Sequence, residues 1–378
     1  MPISMRIAFF IAVILLHVFI YFILFKNISA SPMIKHLGKF IVFVNFFCII
    51  IFLKLYHMQM NPILYTILSS TLGIFWISLS VAFLVFIIAM CIRFGFGYFT
   101  LYQLQPKILL IAWCVIGILV SLSFYLNAKK PSVVEQTIEI ENLKQSLNVV
   151  LLTDLHIDVL MDKRKVAKLV QQSNELKPDI IILGGDIVDN YYPIVQESVK
   201  ELGGLKAKYG TFYVLGNHEY YYDTYTILRA LNNLGITTLI NQNIVLRNLG
   251  INIAGVADLA GQRGTFKQSV LAPNIIKTLE SSYERFPTIF ISHQPKIIKY
   301  FNGENVSLVL SGHTHGGQIF PFHFLVMIEQ PFLQGLHSFH HGNKDSQIYI
   351  SKGAGWWGMP MRLFDTREIS FLHLIPKQ

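Results

Sequence analysis

The chain has 378 residues, enough for two domains; 53% are hydrophobic and 14% charged, against roughly 25% charged in an ordinary soluble protein. That balance excludes a disordered chain, a collagen-like fibre and a disulfide-stapled miniprotein. The net charge of +9 is confined to one end: nine Lys and Arg and no Asp or Glu precede Glu135, while 22 basic residues meet 22 acidic ones in the remainder. A basic excess carried by an apolar N-terminal third describes membrane loops, so no nucleic-acid partner is expected.

Residues 7–25 form a charge-free apolar run between Arg6 and Lys26, long enough for a ~30 Å hydrocarbon core at ~1.5 Å per residue. Residues 40–56 read as a second span, with Lys39 and Lys54 snorkelling at its flanks. Residues 63–92 read as one long tilted helix, and residues 108–126 as a fourth span before Lys129-Lys130-Pro131. Residues 1–130 are therefore expected to be a transmembrane helical anchor. Basic residues divide four against five between its two sides and set no orientation. Cys48, Cys91 and Cys114 read as small buried apolar side chains, and His17 as a neutral imidazole facing a neighbouring helix. So few ionisable groups give a transport path almost nothing to work with.

Residues 131–147 read as a linker. From residue 148 the pattern changes to short apolar runs at 148–153, 180–183, 211–215, 251–256, 288–292, 306–311, 347–351 and 369–374. Helical spacing of apolar residues fills the first gaps: Val166, Leu169 and Val170, then Val195, Val199 and Leu202, then Ile227, Leu231 and Leu234. Strands alternating with helices predict an α/β domain over residues 148–378, mixed or layered.

Polar residues stand where these strands end. Asp154 and His156 follow the first strand, Gly185 and Asp186 the second, and Gly216, Asn217, His218 and Glu219 the third. His293 follows the fifth, and Gly312, His313, Thr314 and His315 the sixth. Ligands of open α/β sheets bind at the carboxyl ends of strands, so the clusters should converge. Asp154/His156 and His313/His315 are i, i+2 pairs, which an extended backbone points to one side. Two Asp carboxylates, one Asn carbonyl and four imidazoles, with His218 left over and no thiolate, exceed one tetrahedral site and suit two divalent ions sharing a carboxylate.

The set Asp154-Leu155-His156, Gly185-Asp186, Gly216-Asn217-His218-Glu219, His293 and Gly312-His313-Thr314-His315 resembles the calcineurin-like metallophosphoesterases, over about residues 148–375. The stretch from Gly312 to Phe324, then Gly335-Leu336 and the segment from Gly355 to Arg362, is similar to the membrane-anchored bacterial branch of that family. The resemblance implies a layered β-sandwich flanked by helices, in a multi-pass protein of a bacterial inner (cytoplasmic) membrane. It assigns one metal to Asp154, His156, Asp186 and His315, and the second to Asp186, Asn217, His293 and His313. The metals implied are two divalent ions, Mn, Fe, Zn or Co. His218 is then free to protonate a leaving oxygen, and Glu219 to orient ligands, while a metal-activated hydroxide attacks the phosphorus. Asp158 departs from the Gly expected there and would add a carboxylate near the mouth of the site.

The reaction implied is hydrolysis of a phosphodiester or pyrophosphate. Residues 319–332, rich in Phe, read either as a hairpin packed in the core or as an apolar lip that takes acyl chains or touches the bilayer. Trp356, Trp357 and Met359 would complete such a lip. Arg362 then serves as a phosphate clamp or as a partly exposed salt bridge. Four anchoring spans and such a lip favour a lipid-linked substrate of the UDP-diacylglucosamine type, with membrane lipids as neighbours. The alternatives are a phosphodiesterase acting on a nucleotide or cell-envelope polymer, and a membrane sensor that binds metal and ligand without turnover.

Overall fold

The computed structural model describes residues 3–26, 31–56, 58–363 and 366–377, with side chains from Ile7 onward. The chain divides into two compact units.

The first unit is helical. It contains α1 (Ile3–Tyr21), which runs on as a π-helical turn over Phe22–Lys26, then α2 (Pro32–Leu55), α3 (Pro62–Phe96) and α4 (Tyr98–Ala128). Pro32 and Pro62 open α2 and α3, where a missing N–H breaks no helical bond. The Asn61 side chain accepts from Ile63 N (2.9 Å) to cap α3, and Gly97, at φ 87°, ends it. Ile20, Leu24, Ile49, Phe75, Ala82 and Leu109 pack inside. The outward surface is just as apolar: Phe9, Phe40, Ile63, Phe83 and Ile118 are exposed. Four segments, Ile7–Lys26, Pro32–Leu55, Pro62–Phe96 and Tyr98–Ala128, are long and apolar enough to cross a membrane. His17 is buried and faces α2, its Nε2 3.1 Å from Asn45 Oδ1; the Asn45 amide donates onward to Thr71 O on α3 (2.9 Å). Two distant pieces of chain, Ile319–Phe322 and residues 358–363, belong to this unit as well. Ile319, Met359, Met361 and Leu363 pack with Ile77, and Gly73 makes room for Met361, since a Cβ there would stand 2.5 Å from its sulfur.

The second unit is a layered α/β domain. In chain order it contains β1 (Ser132–Ile140), β2 (Leu147–Leu152), α5 (Lys163–Glu175), β3 (Ile180–Leu183), α6 (Tyr192–Lys200), β4 (Thr211–Tyr213), α7 (Thr224–Asn233), β5 (Thr237–Thr238), β6 (Gln242–Leu246) and β7 (Ile251–Gly255). There follow α8 (Ile275–Leu279), β8 (Thr288–Ile291), β9 (Leu308–Ser311), α9 (Phe322–Glu329), β10 (Gly335–His341), β11 (Lys344–Ile350) and β12 (Glu368–Pro376). One six-stranded sheet has the order β1-β12-β2-β3-β4-β5 and the other β10-β11-β9-β8-β7-β6. Period-two alternation builds the layers. Val149 and Leu151 of β2 pack with Ile289, Ile291, Leu308 and Leu310 between the sheets. Val150 and Leu152 point the other way, into a layer with Val166, Leu169, Val199 and Leu231 from α5, α6 and α7. The fold class expected from the sequence is the one observed.

Several details differ from the sequence reading. Residues 131–147 are not a linker: β1 occupies most of them and pairs in parallel with β12 from Ser132↔Glu368 to Ile140↔Pro376. As an edge strand it exposes every second residue over much of its length, and Glu135, Gln136 and Glu139 disguise its apolar face. α2 begins at Pro32 and α4 at Tyr98, both upstream of the expected spans, because Lys35, His36 and Lys39 do not stop α2, nor do the uncharged polar residues and Pro106 stop α4. Residues 322–329 form α9 and no hairpin, since that run contains neither Gly nor Pro to turn it. Cys91 and Cys114 are exposed and Cys48 half-buried.

The His17–Asn45–Thr71 chain joins α1, α2 and α3 in apolar surroundings. Asn45→Ala is expected to cost about 0.6–2 kcal/mol, read as a lower midpoint of thermal unfolding in detergent with helix content retained at low temperature.

Candidate metal centre

β2, β3 and β4 are parallel neighbours in one sheet, and β8 and β9 in the other. Every expected ligand stands within a few residues of the carboxyl end of one of these strands. The pairs do not converge through an extended backbone, as the spacing argument assumed. Asp154 (φ 54°), His156 (46°), Asp186 (50°), His313 (72°) and His315 (52°) are all left-handed, and Thr314 between the last two is right-handed at −81°. The chain curls at each loop and so turns both side chains of a pair inward. Left-handed backbone costs a non-glycine residue roughly 1–2 kcal/mol, and such strain collects where function holds it in place. Glycine permits the approach: a Cβ on Gly216 would lie 2.2 Å from Asp186 Oδ1, and one on Gly312 2.3 Å from Asp154 Oδ2.

The side chains gather in two groups whose ligand atoms lie within 4.8 Å of one another: Asp154, His156 and His315, and Asp186, His293 and His313. Asp186 Oδ2 stands between them, 3.0 Å from His293 Nε2 and 3.7 Å from His156 Nε2. His315 Nε2 is 3.3 Å from Asp154 Oδ1 and 3.1 Å from His156 Nε2. Asn217 Oδ1 is buried without a hydrogen-bond partner.

This donor set fits cations. His293 Nδ1 donates to Gly184 O (2.9 Å), which leaves Nε2 as a lone pair. That lone pair faces the Asp186 carboxylate at 3.0 Å, with neither atom holding a proton of its own while the imidazole is neutral. Two acceptors turned toward each other in a buried place are what a divalent ion reconciles. His156 repeats the arrangement, with Nδ1 against Asp189 Oδ2 (3.1 Å) and Nε2 turned toward His315. Burial works against a charged His293, but Asp186 and Asp154 outweigh it and raise that imidazole well above its usual value. A proton and a metal therefore compete for the same lone pair.

His218 lies beside this set. Its Nδ1 is 2.7 Å from Asp189 Oδ1, and its Nε2 3.9 Å from Asp186 Oδ2. Burial disfavours its charged form, but Asp189 and Asp186 prevail and raise its pKa to about 9. Asp189, which the sequence reading did not single out, thus holds His156 through one oxygen and His218 through the other, with Tyr222 donating to it as well (3.1 Å). Its signal was faint: a carboxylate three residues after Asp186, in a stretch that reads as a helix approach.

Glu219 is fully buried and accepts four backbone N–H groups, from Asp186 (3.2 Å), Ile187 (2.7 Å), Val188 (3.1 Å) and Gly216 (2.9 Å). Asp158 is not a carboxylate at a mouth. It is buried and accepts from Leu160 N and Met161 N (2.7 and 2.8 Å), and burial, eased by those two bonds, raises it to about 6. Arg362 belongs to the helical unit, where its backbone N–H donates to Ser123 O (3.1 Å); its side chain is fully buried, so it is no partly exposed salt bridge.

Residues 147–317 match the family described as calcineurin-like phosphoesterase. An uncharacterized metallophosphoesterase of Campylobacter jejuni is 35% identical over 374 residues, covering 96% of each chain. One from Helicobacter pylori strain J99 is 42% identical over 255 residues, 67% of this chain; the match spans 66% of that relative's length. A transmembrane protein with metallophosphoesterase domain from Danio rerio is 32% identical over 254 residues, 64% of this chain and 57% of its own.

Glu219→Gln replaces one acceptor oxygen with a donor that faces backbone N–H groups. Stability should fall by about 1.5–3 kcal/mol by chemical denaturation, with bound metal reduced in the same sample. Asp189→Asn keeps the shape but weakens both imidazole contacts. It should lower the unfolding midpoint, because a buried carboxylate bound by two imidazoles and a tyrosine loses its charge, and lower activity, measured with a soluble phosphodiester.

Proposed function

From its membership of the calcineurin-like metallophosphoesterase family, a class of metal-dependent phosphoester hydrolases, we propose that this chain is a membrane-anchored dinuclear hydrolase of phosphodiester or pyrophosphate bonds. One ion would be held by Asp154, His156, Asp186 and His315, and the other by Asp186, Asn217, His293 and His313. The observation that carries this reading is the buried meeting of the Asp186 carboxylate with the His293 lone pair at 3.0 Å, His156 standing on its other side. Two divalent ions, Mn, Fe, Zn or Co, supply positive charge for phosphoryl oxygens and make a water nucleophilic near neutral pH.

The chain's own groups do the rest. The left-handed loops fix the donors before substrate arrives, so little reorganisation is left to the reaction. His218, with Nδ1 tied to Asp189, presents Nε2 and protonates the leaving oxygen. Glu219 keeps the Asp186 and Gly216 loops in register.

The substrate is a lipid-linked phosphodiester or pyrophosphate of the UDP-diacylglucosamine type, in a bacterial inner membrane. Two features support this. The chain carries four segments apolar enough to span a bilayer. Ile319–Phe322, a few residues beyond His315, packs inside the helical unit. Residues 1–130 form the anchor and the domain from residue 148 the hydrolase, with β1 an added edge strand of that domain.

Asn217→Ala and His313→Ala are expected to lose metal and activity together. His218→Ala should keep both ions by elemental analysis and lose about 10²–10⁴-fold in kcat on an aryl phosphodiester with Mn²⁺. Equal metal loss in all three variants would remove His218's separate role. Turnover of UDP-diacylglucosamine in mixed micelles, set against a nucleotide diester, tests the substrate.

A further inference from the structure

We propose that α9 is an interfacial helix whose apolar face is immersed in the hydrocarbon margin of the bilayer. Phe324, Leu325, Met327 and Ile328 are 58%, 46%, 54% and 81% exposed, and no residue of α9 is buried. At ~100° per residue these four side chains share one arc of about 160°. Elsewhere in the α/β domain, among the described residues, large exposed apolar side chains are mostly single tyrosines, with Val270 and Ile276 standing alone. A contiguous apolar patch of this kind marks an interaction surface.

The other side of the helix and its exit are tied down. Glu329 pairs with Lys296 (2.5 Å), and Gln330 Oε1 accepts from Lys296 N (3.0 Å), three residues beyond His293. Thr314, between His313 and His315, donates to Leu333 O (2.6 Å) just after the helix. The apolar face is thus displayed by a helix held to two ligand loops.

Continuity identifies what covers it. Ile319–Phe322 leads into α9 and belongs to the helical unit. There Ile319 packs with Ile77, and the Phe322 ring lies 5.6 Å from Trp76, both on the apolar segment Pro62–Phe96. The chain leaves packing against a membrane-spanning helix at the residue where α9 starts. The next exposed residues are Phe and Leu, and the occupant that fits is lipid acyl chain. This inference depends on the spanning helices alone, so a protein inactive on every phosphoester would leave it standing.

Site-directed spin labelling of the full chain in phosphatidylethanolamine–phosphatidylglycerol vesicles tests it. Cys48, Cys91 and Cys114 are replaced by Ala, and single labels are placed through Ile328→Cys, Phe324→Cys and, as reference, Ile276→Cys on α8, where the native side chain is 81% exposed. Oxygen, which partitions into lipid, and a water-soluble nickel chelate are compared as relaxing agents. The α9 labels should show an oxygen-to-nickel ratio several-fold above that of the reference. A ratio equal to the reference overturns the proposal. So does exclusion of both agents with dipolar broadening, the signature of a second copy on this face. Met327→Cys serves if either α9 variant fails to fold by circular dichroism.

Discussion

The carboxylate of Glu219 accepts backbone N–H groups from the loops that follow β3 and β4, and the shape of the candidate metal centre depends on that grip. A carboxylate removed from water is costly unless its lone pairs are satisfied. Burial does push Glu219 upward, and amides such as those of Val188 and Gly216 draw it back. In return, three consecutive N–H groups from Asp186 to Val188 are fixed. Asp186 is thereby held at φ 50°, close enough to Gly216 that no side chain fits between. The Asp186 carboxylate also accepts the His218 backbone N–H (2.8 Å), so Asp186 and His218 are built from one network.

Charge sets the second constraint. Asp154, Asp186, Asp189 and Asp258 are all buried in this region. Asp189 is settled by two imidazoles and a tyrosine, and Asp258 by Gln294 Nε2 (2.8 Å) and Ala260 N (2.7 Å). Asp154 and Asp186 face mainly the imidazoles of His156, His293 and His315, at 3.0–3.9 Å. Burial raises Asp154, whereas His293 and His218 overcome the effect of burial on Asp186 and hold it well below the ordinary range. Buried carboxylates crowded into one cluster give a site that gains from added positive charge.

The residue types and order of the site were legible because metal chemistry constrains them: an oxygen- and nitrogen-rich set without thiolate, each member at a strand end. Their backbone was not. Asp and His are unremarkable in an extended chain, and nothing in Asp154-Leu155-His156 announces two left-handed residues. Asp189 escaped because its role lies in what it touches, not in its spacing. The strands of the sandwich interior were legible as apolar runs, whereas β1 mixes Val133, Val134, Ile138 and Ile140 with Glu135, Gln136, Thr137 and Glu139 and carries the edge-strand signature of a solvated face. For residues 319–332 composition revealed apolarity but not exposure. A packed core segment and a bilayer-facing helix have the same hydropathy, and only the environment distinguishes them.

That distinction matters at the point where the motif sequence gives way to apolar chain. Gln318 makes a reciprocal amide pair with Trp357, donating to its carbonyl and accepting from its N–H, each at 3.0 Å. One residue beyond each partner, at Ile319 and Gly358, the chain enters the helical unit. The loop carrying His313 and His315 and the loop of Trp356 and Trp357 are therefore clamped together by one side chain just before both join the apolar packing around Ile77. His315, a candidate ligand four residues upstream of Ile319, has little free chain on that side. Its left-handed backbone therefore lies between β9 on one side and the clamp on the other, which leaves the loop little room to change shape.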